Sequence, residues 1–243
     1  MTVAPRRREG RPLTVGGRTL EIFAETPRLN AWIFSKLRPH VHGDVLEIGS
    51  GIGTLSHLIV ARAATAVLSD AEPRYLDALR TTFAGDARVT VARYDLDGEP
   101  EPEIARRSFD AIVAINVVEH IRDDQALVRR LAVLLKPGGS LLIYVPACPF
   151  AYGSLDKALG HYRRYTPATL TALLEGAGLA VSRPVYVNLL GLFGWTINGR
   201  VLRREHTPPG QVALFERLVG MLWVEDRFRL PVGLSLYVAA RRP

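Results

Sequence analysis

From Asp44 onward the chain alternates short apolar runs with longer stretches in which apolar residues recur every three or four positions. The runs at 44–48, 66–70, 88–92, 109–115 and 140–145 read as strands, and helices fit between them. After Pro73 the residues Leu76, Leu79 and Phe83 share one helical face, and after Asp123 so do Leu127, Leu131, Leu134 and Leu135. Lys136-Pro-Gly-Gly139 then ends that helix. A further helix starts at Thr166–Pro167, where threonine can cap free amides and proline fits the first turn, and it ends near Gly178. Strands at about 180–187 and 234–240 complete a seven-stranded sheet. Strands and helices in alternation predict an α/β fold whose parallel sheet is covered on both faces.

Two segments depart from this alternation. In residues 19–42, Leu29, Trp32, Ile33 and Leu37 fall near helical spacing and predict a helical cap. Residues 188–233 are too long for an ordinary connection. They predict two helices, 189–202 with Leu190, Phe193, Ile197 and Val201 on one side, and 211–224 with Phe215, Leu218, Val219 and Leu222 together. This insertion can pack on the main sheet, cover a hydrophobic substrate, form a dimer contact or touch a membrane, since Arg200, Arg203 and Arg204 follow its first helix. Residues 1–18, rich in Arg, Gly and Pro, predict a flexible basic arm ahead of a single domain over 19–243.

Composition narrows the class. A chain of 243 residues with 48% hydrophobic content buries one sizeable core. The single cysteine, Cys148, excludes an internal disulfide framework and a cysteine-based zinc site, and it fits a reducing cytoplasm. It reads as a small buried apolar residue rather than a nucleophile. The formal charge is +7, but most of it sits at the two ends, in Arg6, Arg7, Arg8 and Arg11 and in Arg241 and Arg242. Lysine occurs only at Lys36, Lys136 and Lys157, an arginine bias that reflects a GC-rich coding sequence more than a binding surface. A nucleic-acid partner would need a clustered stripe on a folded face, so none is expected. The longest apolar stretch, Val185 to Ile197, is broken by Asn188 and two glycines and is too short to cross a bilayer. A cytoplasmic monomer or homodimer follows, with peripheral membrane contact left open.

The chemistry concentrates in Val45-Leu-Glu-Ile-Gly-Ser-Gly-Ile-Gly-Thr54, a strand that runs into a glycine-rich turn. Gly49, Gly51 and Gly53 can adopt backbone conformations closed to other residues, which lets the main chain pass close beneath a ligand. The dinucleotide fingerprint places its third glycine five residues after the first; here that position is Thr54, and the spacing fails. Glu47 would repel a pyrophosphate and suits a cation instead. S-adenosylmethionine (SAM) carries an ammonium, a carboxylate and a sulfonium where NAD carries two phosphates, and the turn suits SAM.

With four further motifs, residues 29 to 240 resemble the class I SAM-dependent methyltransferases. The resemblance implies a Rossmann-like, doubly wound sheet with an antiparallel last strand, and SAM as cofactor. Leu-Ser-Asp70-Ala71-Glu-Pro73 matches the place where that family keeps an acid for the ribose hydroxyls, which makes Asp70 the strongest cofactor contact. Tyr94-Asp95-Leu96 is similar to the adenine-contacting step, with a turn aspartate as the alternative. Asn116-Val-Val-Glu-His120 looks like the family's segment near the methionine end, where the backbone around Asn116 lies close to the cofactor. It lacks the Asn/Asp-Pro-Pro-Tyr/Phe tetrapeptide of amino-methylating nucleic-acid enzymes. Within the superfamily the chain is similar to a bacterial group with Val-Pro-Ala after the fifth strand and a Gly-His-x-Arg-Arg-Tyr loop, here Val145-Pro-Ala147 and Gly160-His-Tyr-Arg-Arg-Tyr165. The resemblance implies a small-molecule methyltransferase, acting at oxygen in specialised metabolism or on a lipid- or sugar-linked intermediate. Its rivals are an RNA or protein methyltransferase and a SAM-binding protein without methyl transfer.

Methyl transfer to a hydroxyl is helped by a base of near-neutral pKa, and histidine fits. His161, in the loop expected to cover the pocket, is a candidate base or substrate ligand; the alternative is a loop-ordering bond to Asp156. His120, just after the fourth strand, is the second candidate. Tyr152, Tyr162, Arg164 and Tyr165 are candidate substrate contacts, although Arg164 can instead pin the loop through Asp156. Some lipid-quinone O-methyltransferases with a similar segment respond to magnesium, yet Glu119 and His120 alone make a weak ligand pair, and no metal is expected.

Overall fold

A computed structural model of the chain describes residues 24–243. The expected basic arm and the first part of the cap lie outside the described residues. The strands are β1 Asp44–Ile48, β2 Thr65–Asp70, β3 Val89–Arg93, β4 Phe109–Ile115, β5 Leu135–Pro146, β6 Ala180–Val181, β7 Val185–Val187 and β8 Ser235–Arg241. The helices are α1 Pro27–Leu37, α2 Ser56–Val60, α3 Pro73–Thr82, α4 Pro102–Ala105, α5 Asp124–Leu134, α6 Ser154–Leu159, α7 Pro167–Glu175, α8 Leu189–Thr196, α9 Pro209–Leu218 and α10 Gly220–Glu225. The sheet runs β3-β2-β1-β4-β5-β8-β6, with β7 also beside β8. β1 to β5 are parallel, and β8 is antiparallel to β5, β6 and β7.

Alternate side chains of the central strands enter two different cores, which makes the sheet doubly wound. Leu46, Ile112, Leu141 and Ile143 pack under α5 and α7 with Leu127, Leu131, Leu170 and Leu174. Val45, Ala111, Val113 and Leu142 face the other way, against Ile59 of α2, Leu79 of α3 and Phe34 and Leu37 of α1. Capping follows the sequence: Asp123 accepts from the Ala126 amide at 2.9 Å, and Thr166 from the Thr169 amide at 3.2 Å.

The expected strand over 180–187 is corrected to two, so the sheet has eight strands rather than seven. Pro184 cannot donate to the ladder, and the register against β8 shifts by one residue between Val181↔Ala240 and Val185↔Tyr237. The turn expected at 136–139 lies inside β5 as an irregularity opposite Phe109 and Ala111. In the insertion, α8 ends at Thr196 and passes into a wider helical turn over Ile197–Val201 instead of continuing to 202. The second expected helix is parted at Val219–Gly220 into α9 and α10, and this bend turns both Val219 and Leu222 inward.

Cap and insertion share a third cluster with the sheet: Leu29, Trp32 and Ile33 meet Tyr144, Val187, Val219 and Leu222. Trp32 is fully buried, and its indole nitrogen donates to Asp226 at 3.2 Å. Burying an indole removes roughly 200 Å² from water, a stabilisation of roughly 5 kcal/mol at most. Glu216 of α9 accepts from the Arg28 and Leu29 amides at 2.6 and 3.2 Å and so closes the N-terminus of α1.

Candidate active site

The carboxyl ends of β1, β2, β4 and β5 meet along one edge of the sheet, where an open α/β fold places its ligand. After β1 the chain turns through Gly49, Gly51 and Gly53 at φ 69°, 54° and 85°, all left-handed. A Cβ on Gly49 would sit 2.5 Å from Val117 Cγ2, so the loop lies directly on the segment that follows β4. The loop is pinned to β2 by its amides: Ser50 donates to the Ser69 carbonyl at 2.9 Å and Gly51 to Asp70 Oδ2 at 2.9 Å. Glu47, buried at the end of β1, accepts from the hydroxyls of Ser50 and Ser56. Burial pushes its carboxyl up to about 7 against those two hydrogen bonds. The expected cation ligand therefore also braces the turn from within.

Asp70 holds the end of β2, its second oxygen accepting from the Glu72 amide at 3.0 Å. Burial raises its carboxyl while the Glu72 and Gly51 amides oppose the shift. Ala71 is exposed beside it, and the exposed Asp95 lies 3.4 Å from Arg93. The Leu96 side chain goes into the core with Tyr94 and Ile104, so what the Asp95–Leu96 step presents outward is the carboxylate. Asn116 closes β4 in a left-handed conformation, φ 51°, with its side chain exposed and its amide on the Tyr144 carbonyl at 2.8 Å. A non-glycine residue held there is strained and marks a constrained position.

Beyond β5 the chain returns to this edge. Tyr165 pairs back to Pro146 and Cys148 through its amide and carbonyl at 2.9 and 3.1 Å, which sets the Gly160–Tyr165 loop over the end of β4. Asp156 of α6 is fully buried and organises it. It accepts from His161 Nδ1 at 3.0 Å, Arg164 Nε at 2.8 Å, the Gly153 amide at 2.9 Å and Trp195 Nε1 at 3.1 Å. Burial alone would raise this carboxyl, and the bonds from His161, Arg164, Gly153 and Trp195 outweigh it and hold it below the ordinary range. The His161 Nε2 lies 3.9 Å from Glu119 Oε1, and the His120 ring meets the His161 ring edge to face at 4.7 Å. Burial, then the neighbouring His161, lowers His120 to about 4 and keeps it neutral. Glu119 is fully buried, and neither carboxyl oxygen has a hydrogen-bond partner among the described residues. Burial raises it to about 8, so it is largely protonated at neutral pH. Glu119, His120 and His161 offer one ligand atom each within 4.8 Å of one another, a spacing that a divalent ion could bridge.

The expected substrate contact at Tyr165 is corrected, and Arg164 takes the loop-pinning alternative on Asp156. Arg164 is buried on Asp156 and the Ala147 carbonyl, and Tyr165 is buried with its hydroxyl on Asp124 at 2.8 Å. Both are spent inside the loop. Tyr152 donates its hydroxyl to the His161 carbonyl at 2.7 Å, and Tyr162 alone of the four is exposed. Three participants have little or no signal in the sequence. Val117 crowds Gly49; Trp195 reaches Asp156 from the insertion, which nothing in the sequence announces. Glu119 is by sequence only a weak ligand partner of His120, although an acid inside an apolar phrase after a strand is a signal.

The chain that forms this edge is similar to known proteins in sequence and in fold. A family profile described as a methyltransferase domain matches residues 46–141. A ubiquinone biosynthesis O-methyltransferase of Xanthomonas axonopodis pv. citri is 30% identical over 65% of this chain and 71% of its own length. A Mycolicibacterium smegmatis protein described as an S-adenosylmethionine-dependent methyltransferase is 32% identical over 75% of this chain and 68% of its own. Further relatives sharing the first name are matched over 59 to 64% of their length. Among solved structures, the N-methyltransferase NodS of Bradyrhizobium japonicum, in complex with S-adenosyl-L-homocysteine, has the same fold, with TM-score 0.54 and 16% identity over 83% of this chain and 78% of that one. The chain belongs to the class I SAM-dependent methyltransferases, and its cofactor is SAM.

Proposed function

We propose that this chain methylates a hydroxyl of a small-molecule acceptor in the cytoplasm, as a step in specialised metabolism or on a lipid- or sugar-linked intermediate. The observation that carries the reading is the Asp156–His161 pair, whose imidazole Nε2 lies 3.9 Å from Glu119, just beyond β4. The name of the Xanthomonas relative, an O-methyltransferase, favours oxygen. The Gly-His-x-Arg-Arg-Tyr loop supports membership of the bacterial group that shares it.

The residues fit the cofactor. A turn with three left-handed glycines exposes Gly49 at the edge, Glu47 holds it from behind, and Asp70 with its raised carboxyl stands at the end of the next strand. Glu47, Gly49, Ser50, Gly51, Gly53, Asp70, Ala71, Asp95, Leu96 and Asn116 would hold it, with Glu47 and Asp70 also stiffening the turn and Leu96 contributing from the core side. When bound, SAM supplies an electrophilic methyl group on a sulfonium.

The chain's own part is to align the acceptor and take its proton. Because Asp156 receives the proton on His161 Nδ1, the neutral ring leaves Nε2 as the acceptor. Proton transfer from the acceptor hydroxyl to Nε2 makes an imidazolium, which Asp156 stabilises. His120, neutral and in edge contact, walls that proton path without competing for it. Tyr162 is the one exposed ring on the loop available to line the acceptor. Positioning of donor and acceptor supplies roughly 7–11 kcal/mol of such a barrier, more than the base does.

The two unpartnered oxygens of Glu119 favour one second reading: Glu119, His120 and His161 would hold a divalent ion that supplies Lewis-acid activation of the hydroxyl. His161→Asn tests the base reading. Turnover falls by about 100-fold or more while SAM affinity stays within about twofold. Unchanged turnover removes the base, and turnover lost on chelation and restored by a divalent ion favours the second reading.

A further inference from the structure

Hydrophobic exposure in this protein is concentrated. Of the twelve large hydrophobic side chains exposed among the described residues, nine lie between residues 188 and 233, whereas ordinary surfaces scatter them singly. Phe193, Ile197 and Val201 recur every fourth residue along the continuous helical stretch 189–201, at 61%, 50% and 70% exposure. Leu192, Asn198 and Gly199 on its other side are buried. Met221, Val224 and Phe228 add a second exposed group on and just beyond α10.

Charge on the same segment is sorted by sign. Glu216 turns to the amides of α1, Glu225 to the Asn188 and Leu189 amides, and Asp226 to Trp32 and Lys36. The insertion's six arginines form no ion pair among the described residues; Arg200 and Arg204 donate to the Phe150 carbonyl and Asn198 Oδ1, while Arg203, Arg217, Arg227 and Arg229 are exposed. The outward surface is therefore apolar and cationic, with Glu205 its one unengaged acid.

We infer that the outer face of residues 188–233 docks on an anionic lipid bilayer, with Phe193, Ile197 and Val201 entering the headgroup region and the arginines meeting lipid phosphates. No described helix is long and apolar enough to cross a membrane, and a helix of this pattern lies in the interface. A second copy of the chain fits this face poorly, because a two-fold contact would set unpaired arginines against one another. The helix that carries the apolar stripe also reaches the active site from its inner side. Trp195 bonds Asp156 at 3.1 Å, and the Gly199 carbonyl accepts from Ser154 at 3.0 Å. Docking therefore brings the His161 loop next to the bilayer surface. The inference stands apart from the methyl-transfer reading, since docking is measured without turnover.

The test is sedimentation of the full chain with vesicles of phosphatidylcholine alone, or with about one third phosphatidylglycerol, at about 0.1 M salt. The expected result is binding to the anionic vesicles at least about tenfold tighter than to the neutral ones. Two triple variants, F193S/I197S/V201S and R203E/R217E/R229E, each lose about tenfold or more while keeping the parent's SAM affinity, which shows that they fold. Absence of binding, equal binding to both vesicles, or variants that bind like the parent overturns the inference. A dimer that the same variants disperse, with vesicles left unbound, assigns the face to a second copy and overturns it equally.

Discussion

Nδ1 of His161 lies 3.0 Å from Oδ1 of Asp156, and this contact decides which ring nitrogen is left to receive a proton. The same carboxylate faces Arg164, whose side chain is 1% exposed. Asp156→Asn therefore leaves a buried guanidinium without its counter-charge, which costs about 3–5 kcal/mol. Chemical denaturation of wild type and variant measures the loss; a change below about 1 kcal/mol would mean that Asp156 does not hold the loop.

Asp70 ties the glycine turn to β2 and is the expected ribose contact. Asp70→Ala should weaken SAM binding by about 2–3 kcal/mol, read by calorimetry. An unchanged dissociation constant would remove Asp70 from the cofactor site.

Gly49 is fixed by two independent constraints, its φ of 69° and the Val117 methyl 2.5 Å from where a Cβ would stand. Gly49→Ala should destabilise the protein by about 2–4 kcal/mol. Adding Val117→Ala relieves the packing part and leaves the backbone strain. If the second substitution brings no recovery in thermal or chemical denaturation, the turn does not rest on Val117.

Glu47 makes stability depend on pH in a definite direction. Its folded carboxyl sits at about 7 against an ordinary 4.5, so between those values the folded state keeps a proton that the unfolded chain releases. The stabilisation is complete below about 4.5 and is lost as pH rises through about 7. Glu47→Gln stays neutral and lacks this slope. The stability of wild type relative to Glu47→Gln should fall by on the order of 2–3 kcal/mol from pH 4.5 to 7. The raised Glu119 and lowered His120 are common to both proteins and cancel in the difference. A pH-independent difference would place the Glu47 carboxyl in water.

The central strands were legible because each is an apolar run bounded by turn residues; β1 and β4 coincide with the expected 44–48 and 109–115. The break at Pro184 and the bend at Gly220 were less so, since each residue was visible but its effect depends on what the flanking segments pack against. The positions of the candidate cofactor residues at the ends of β1, β2 and β4 could be read, because a strand–glycine turn–helix fixes where they stand in space. The loop chemistry could be read only in part. Asp156 stands near His161 and Arg164 in sequence and offers itself as their partner, whereas only the fold shows that Asp124 engages Tyr165. Trp195 is some forty residues from Asp156 in sequence, and no local pattern encodes that contact.

The most direct test of the account is to incubate the purified chain with methyl-labelled SAM and a fractionated extract of its source organism, and to follow the label. The account predicts label in small-molecule fractions, bound through oxygen, and its disappearance when His161→Asn replaces the wild type. Label accumulating in RNA or protein, or SAM binding with no acceptor labelled in any fraction, would contradict it.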